Sequence, residues 1–194
     1  MTSRAEAVKL FTLADYAERA RPLLRPGVLD FIEGGAGEER TLQANTEAFD
    51  RVRLYPKALT GTGRPSLVTE ILGDSWKAPL AIAPMAYHRL DHADGEVATA
   101  RAAGAAGVPL VVSTFASRTF EDIAEAATSP LWLQVYCFRD PALTRGLVER
   151  AWRAGFQALM LTVDAPILGR RTRDREARPD RRAGRPRLRR RQRR

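Results

Sequence analysis

A single cysteine, Cys137, among 194 residues excludes an internal disulfide, and with only two histidines the chain offers no paired Cys/His metal spacing or thiol relay. A reducing, cytoplasmic setting is the expectation. Long apolar runs are missing from the first thirty residues, which Arg4, Glu6, Lys9, Asp15, Glu18, Arg19 and Arg21 interrupt. Neither a signal peptide nor a membrane span is expected there. No G-x-G-x-x-G run follows the first strand-like segment, which weakens a dinucleotide-binding reading. Acidic residues run short in one place only. Residues 1–172 carry 20 Lys+Arg against 20 Asp+Glu, whereas residues 173–194 carry 12 Arg against Asp174, Glu176 and Asp180. The tail therefore holds the whole net charge of +9. Its aliphatic side chains are Ala177, Ala183 and Leu188, too little apolar surface to offset the entropy of ordering, so it is expected to be disordered.

What is present is an ordered series of elements. Residues 10–24 place Leu10, Phe11, Leu13, Ala14, Ala17, Ala20 and Leu23 at helical spacing before Pro26-Gly27. Val28–Ile32 predicts a short helix ending at Gly34-Gly35, Glu38–Phe49 a polar one, and Leu54–Ser66 a connector. Ser66–Leu72 is β-prone. From residue 79, short apolar runs alternate with helical segments: Pro79–Ala86, Gly95–Ala106, Val108–Ser113, Phe120–Ala127, Leu131–Tyr136, Pro141–Ala154 and Ala158–Val163. Near-continuous apolar strands with crossover helices imply a parallel α/β fold. Periodicity leaves open whether the sheet is doubly wound or part of a (β/α)8 barrel.

In either architecture the ligand sits at the carboxyl ends of the strands. Pro84-Met85-Ala86-Tyr87-His88, Ser113-Thr114-Phe115, Gln134-Val135-Tyr136 and Thr162-Val163-Asp164 collect there. Their amides, hydroxyls and aromatic rings suit a planar heteroaromatic ligand such as a flavin or nucleobase, while single Ser, Thr or Asp residues serve equally well as helix caps.

Six segments, in order, carry a resemblance: Asp30-Phe31-Ile32-Glu33-Gly34-Gly35-Ala36, Thr41-Leu42-Gln43-Ala44-Asn45, Ile82-Ala83-Pro84-Met85-Ala86, His92-Ala93-Asp94-Gly95-Glu96, Trp132-Leu133-Gln134-Val135-Tyr136, and Leu161–Arg171. Over residues 10–174 the chain resembles the FMN-dependent α-hydroxy acid dehydrogenases, which include glycolate, lactate and hydroxymandelate oxidases. The resemblance implies an N-terminal helical cap and connector over 1–65, the first half of an FMN-binding (β/α)8 barrel over 66–172, and the Arg-rich tail over 173–194. It also implies oxidation of a small 2-hydroxy acid to a 2-oxo acid, with FMN as cofactor. The family tends toward homo-oligomers, and the unpaired strand edges of half a barrel invite self-association.

Carried over by position, the backbone of Pro84, Met85 and Ala86 faces the flavin ring, and Ser113, Gln134 and Thr162 contact the flavin. Tyr136 matches a substrate-binding tyrosine. Arg171 matches an arginine facing the substrate carboxylate, though Arg170 and Arg171 also read as an ordinary solvated pair. Phe31 stands where many members have a substrate-binding tyrosine, and Phe115 where glycolate oxidases often have tryptophan. With Tyr87 they suggest a pocket for an aryl substrate such as mandelate, or simple aromatic packing. His88 and His92 follow the first strand and are not assigned as the base. The family's catalytic lysine, its His-Gly-Gly-Arg segment and its glycine-rich phosphate site belong to the second half of the barrel and have no match here, so this chain alone is expected to be inactive. Two other readings are a basic-tailed nucleic-acid-binding protein, whose tail lacks aromatics for base stacking, and a half-barrel completed by another chain.

The abrupt change at Arg175 suggests a shifted reading frame. Translating all three forward frames of the coding DNA through codons 171–194 and beyond tests this: a frame encoding the missing lysine and His-Gly-Gly-Arg segments supports it, and their absence from every frame rejects it.

Overall fold

The computed structural model describes residues 9–61, 63–165 and 167–173. These fall into two compact units, residues 9–54 with 169–173, and residues 55–168. The family resemblance implies divisions at residues 65 and 172. In the structure the 169–173 segment groups with the helices, where the Gly37 N–H donates to the Arg170 carbonyl at 2.9 Å and Arg173 forms an ion pair with Glu39. Residues 174–194, and with them nearly all of the expected disordered tail, lie outside the described residues.

The helical unit contains α1 (Leu13–Ala20), α2 (Pro26–Glu33) and α3 (Arg40–Asp50). Helix α1 begins in a capping box: Thr12 Oγ1 accepts the Asp15 N–H at 3.1 Å, and Asp15 Oδ2 accepts the Thr12 N–H at 2.8 Å. Pro26 opens α2 at a position where a missing N–H costs nothing.

In the second unit, β1 (Thr69–Ile71) and β2 (Asp74–Trp76) form an antiparallel hairpin. Its two-residue turn, Leu72-Gly73, has φ values of 53° and 87°, the left-handed backbone that lets two such strands pair without splaying. The parallel sheet follows in the order β3 (Leu110–Val112), β4 (Leu131–Val135), β5 (Ala158–Leu161). Helix α4 (Glu96–Ala106) precedes β3, while α5 (Phe120–Ala126) and α6 (Pro141–Arg153) make the crossovers. Thr119 and Asp140 cap α5 and α6 by accepting the N–H groups of Asp122 at 3.1 Å and Ala142 at 2.9 Å.

One expected strand is reduced. Pro79–Ala86 pairs with β3 only through a parallel bridge between Ile82 and Leu110. The Ile82 N–H donates to the Pro109 carbonyl at 2.9 Å and the Val111 N–H donates to the Ile82 carbonyl at 3.0 Å. Pro79 and Pro84 flank this bridge and have no N–H to extend the ladder.

Alternation along the strands builds the core. Leu110, Val112, Leu131, Leu133 and Val135 are buried together with Ala100 and Ala103 of α4, Phe120 and Ile123 of α5, Ala151 of α6 and Phe156. The opposite strand face carries Val111, Ser113, Trp132 and Gln134. Trp76 of the hairpin packs edge-on against Trp132, with ring centroids 5.5 Å apart. Among the described residues β5 is bonded on one side only, and its Leu159 and Leu161 are each 55% exposed. No helix among the described residues is long and apolar enough to cross a membrane.

Leu133 is 1% exposed at the centre of this core. Leu133→Ala is expected to lower unfolding stability by about 2 to 5 kcal/mol, read as a reduced urea midpoint by far-ultraviolet circular dichroism; an unchanged midpoint would show that the β3–β5 layer contributes little to stability.

Candidate functional site

Gln134 organises the carboxyl end of the sheet. It lies on the strand face opposite the apolar core and is 3% exposed. Its Oε1 accepts the Thr114 N–H at 3.1 Å and the Ser113 hydroxyl at 3.4 Å, and its Nε2 donates to Thr162 Oγ1 at 2.9 Å. The register that places Gln134 opposite Met160 puts Thr162 two residues further along the same face, so the three side chains form a row across β3, β4 and the end of β5. Thr114 fastens this row from the backbone: its hydroxyl donates to the Gln134 carbonyl at 2.6 Å and accepts the Tyr136 N–H at 3.2 Å. A buried carboxamide left unbonded would cost about 1 to 3 kcal/mol, so these contacts hold its orientation.

Pro84, Met85 and Ala86 lead from the Ile82 bridge toward the same strand ends. No recorded hydrogen bond among the described residues uses the N–H of Met85 or Ala86. The next residue, Tyr87, donates its N–H to the Phe115 carbonyl at 3.1 Å, which joins this turn to the one after β3. Tyr87 and Phe115 stack with ring centroids 6.1 Å apart, and Phe115 meets Tyr136 at 5.6 Å. The three rings make one partly exposed aromatic shelf beside the polar row.

The other two expected substrate contacts belong to the helical unit. Arg171 Nη2 donates to the carbonyl of Asp30 at 3.2 Å and to that of Phe31, and its guanidinium lies 5.1 Å from the Phe31 ring centroid. A cation on the last carbonyls of α2 also complements the negative end of that helix. Phe31 and Arg171 are thus brought together, whereas Tyr136 lies in the other unit.

The two histidines have local partners. His88 Nδ1 is 3.0 Å from Thr99 Oγ1, and His92 Nδ1 accepts the Asp94 N–H at 3.2 Å. Among the described residues no group of three or more His, Cys, Asp or Glu is arranged to hold a metal ion. Two contributors lie in segments named from the sequence but carry no individual role there. Thr114 resembled any strand-end hydroxyl, and Glu96 resembled an ordinary first-turn acid on α4.

Taken together, Ser113, Gln134 and Thr162 present hydroxyl and amide groups in a line, with one Nε2 hydrogen of Gln134 beyond its Thr162 bond and two N–H groups on the Met85–Ala86 turn. This donor and acceptor set fits a planar ring with alternating carbonyl and N–H groups along one edge, which is the chemistry of a flavin pyrimidine ring.

The family described as FMN-dependent dehydrogenase matches residues 20–190. An L-lactate oxidase of Nostoc sp. is 44% identical over 179 residues, covering 90% of this chain and 48% of the relative. A 4-hydroxymandelate oxidase of Amycolatopsis orientalis is 42% identical over 163 residues, covering 84% of this chain and 45% of the relative. A crystal structure of mandelate oxidase with (S)-2-phenylpropionate superposes with a TM-score of 0.83 at 40% identity, over 89% of this chain and 52% of that one. The chain spans about half the length of the curated relatives it matches.

Asp91 makes a pH-dependent contribution beside this site. Its Oδ1 is buried without a hydrogen-bond partner among the described residues, and burial pushes its carboxyl above the ordinary value, opposed by nearby His88 and reinforced by the Glu96 charge. An acid whose folded pKa is raised costs stability once pH exceeds that value, and the cost vanishes below the unfolded pKa. Asp91→Asn is therefore expected to raise the melting temperature at neutral pH, with the gain shrinking as pH falls toward about 4; a pH-independent difference from wild type between pH 4 and 7.5 would refute this.

Proposed function

Because the chain belongs to the FMN-dependent dehydrogenase family, we propose that it forms the first half of a (β/α)8 barrel that binds FMN and oxidises a small L-2-hydroxy acid to the 2-oxo acid. The observation that carries this reading is the Ser113–Gln134–Thr162 row, whose polar groups line up across adjacent strand ends. Bound FMN would supply the acceptor for the two electrons removed at the substrate α-carbon.

The roles of this chain's residues are carried over from the family resemblance, and their chemistry agrees with them. The row would hold the pyrimidine edge of bound flavin, and the Met85 and Ala86 N–H groups would be available to its ring. Tyr136 offers its hydroxyl to the substrate. Arg171 enters as a carboxylate partner through the family resemblance, since a guanidinium fork matches a carboxylate in two hydrogen bonds. Phe31 supplies apolar surface where a tyrosine would donate a hydrogen bond.

The Tyr87–Phe115–Tyr136 shelf favours a substrate with an aryl group on the α-carbon, because ring–ring contacts add about 0.5 to 1.5 kcal/mol to burial alone. The similarity to a 4-hydroxymandelate oxidase supports the same choice. A proton-accepting histidine and the remaining strands come from a second half. The open edge of β5, with exposed Leu159 and Leu161, is where the next strand would pair.

Titrating the chain with FMN and following flavin fluorescence tests the cofactor assignment. Saturable quenching is expected, weakened at least tenfold by Gln134→Leu; no binding by wild type, or equal binding by the variant, would reject the site. An intact enzyme carrying this half should turn over mandelate faster than glycolate, and the reverse order would remove the aryl assignment.

A further inference from the structure

Glu96 is the first residue of α4 and is 2% exposed, yet it faces no cation in a salt bridge among the described residues. Hydrogen bonds take that place. Its Oε1 accepts the His88 N–H at 3.2 Å, the Ser117 N–H at 2.8 Å and the Ser117 hydroxyl at 3.0 Å, while Oε2 lies 2.8 Å from the same hydroxyl. Ser117 Oγ in turn accepts the Arg89 N–H at 3.0 Å. Burial alone would push the Glu96 carboxyl up, but the Ser117 N–H, the Glu96 backbone N–H, the Ser117 hydroxyl and the His88 N–H together outweigh burial and hold the pKa below the ordinary value. The group is an ionised carboxylate in the protein interior.

The position of those donors matters more than their number. His88 and Arg89 follow the Pro84–Tyr87 turn, and Ser117 follows the Ser113–Phe115 turn. The carboxylate therefore spans two separate strand-end turns, which are otherwise joined by the Tyr87–Phe115 backbone bond, their stacked rings and the Arg89 N–H bond to Ser117 Oγ. Helix α4 is anchored below them by Ala100 and Ala103 in the core, so its first residue is a fixed point. Gly95, at φ 57°, makes this approach possible, because a Cβ there would lie 2.7 Å from the Arg89 side chain.

We propose that Glu96 is a positioning residue, a buried carboxylate clamp that holds the Pro84–Tyr87 turn and the Ser113–Phe115 turn in one arrangement and so keeps the two parts of the flavin surface aligned. The clamp's role toward flavin rests on the FMN reading above; the joining of the two turns does not. Negative charge strengthens the clamp, since hydrogen bonds to a carboxylate are about twice as strong as those to a neutral acceptor.

The test compares the full chain with Glu96→Gln and Ser117→Ala by hydrogen exchange and FMN titration. Exchange in residues 84–90 and in 113–118 is expected to rise together by at least tenfold in Glu96→Gln, and to rise also in Ser117→Ala, which keeps the Ser117 backbone donor but loses the hydroxyl shared by Glu96 and the Arg89 N–H. Residues 131–135 and 141–153 should keep wild-type protection. FMN affinity should fall at least tenfold in Glu96→Gln, with the visible flavin spectrum shifted toward that of free FMN. Faster exchange throughout the unit would reassign Glu96 to general stability and overturn the proposal, as would loosening of only one turn, or loosening of both with unchanged FMN affinity. If wild type itself does not bind FMN, the cofactor reading fails, while the clamp stands or falls on whether the two turns loosen together.

Discussion

Strict two-residue alternation along three short parallel strands is the constraint on which the second unit depends. Leu131, Leu133 and Val135 commit one face of β4 to the helices, and this leaves Trp132, Gln134 and Tyr136 on the other. The core and the candidate site are two faces of the same residues' backbone. A one-residue slip of β4 would place Gln134 among Ile123 and Phe120 and turn Leu133 toward the polar row. The apolar packing of α4, α5 and α6 thus fixes the register that the site requires, even though none of the core side chains belongs to the site.

Polar groups on the inner face have little water to satisfy them, and the structure answers with lateral bonds. Gln134 bonds to residues from both neighbouring strands, and Thr114 ties the backbone of one strand end to the next. Glu96 does the same one layer outward, through backbone N–H groups of two turns. Such networks are costly when broken because each buried group loses its partner and gains no water. Rigidity at the strand ends follows from satisfaction of buried polarity, and a rigid rim is what an oriented planar cofactor needs.

The exposed Leu159 and Leu161 sit on a strand bonded on one side among the described residues, and the chain spans about half the length of the curated relatives it matches. The aromatic shelf is a different case. Tyr87 and Phe115 remain partly exposed although they stack, which is the behaviour of a binding surface more than of a core.

The sequence by itself determined the order of helices and strands, the parallel sheet, the family and the residues of the polar row. Those features are written in local periodicity and in short motifs, so Phe120–Ala126 and Pro141–Arg153 emerge within a residue or two of their predicted bounds. It did not reveal the β1–β2 hairpin, whose turn is Leu72-Gly73 rather than one of the usual Asn-Gly or Asp-Gly pairs. It also overstated Pro79–Ala86, where apolar character predicted a strand but the flanking prolines limited pairing to one bridge. Only tertiary structure decided that Arg171 serves the carbonyls of α2, that Thr114 fastens the Gln134 row, and that Glu96 joins two turns. Each of these depends on partners that folding brings together from up to 141 residues away, and no local pattern encodes them.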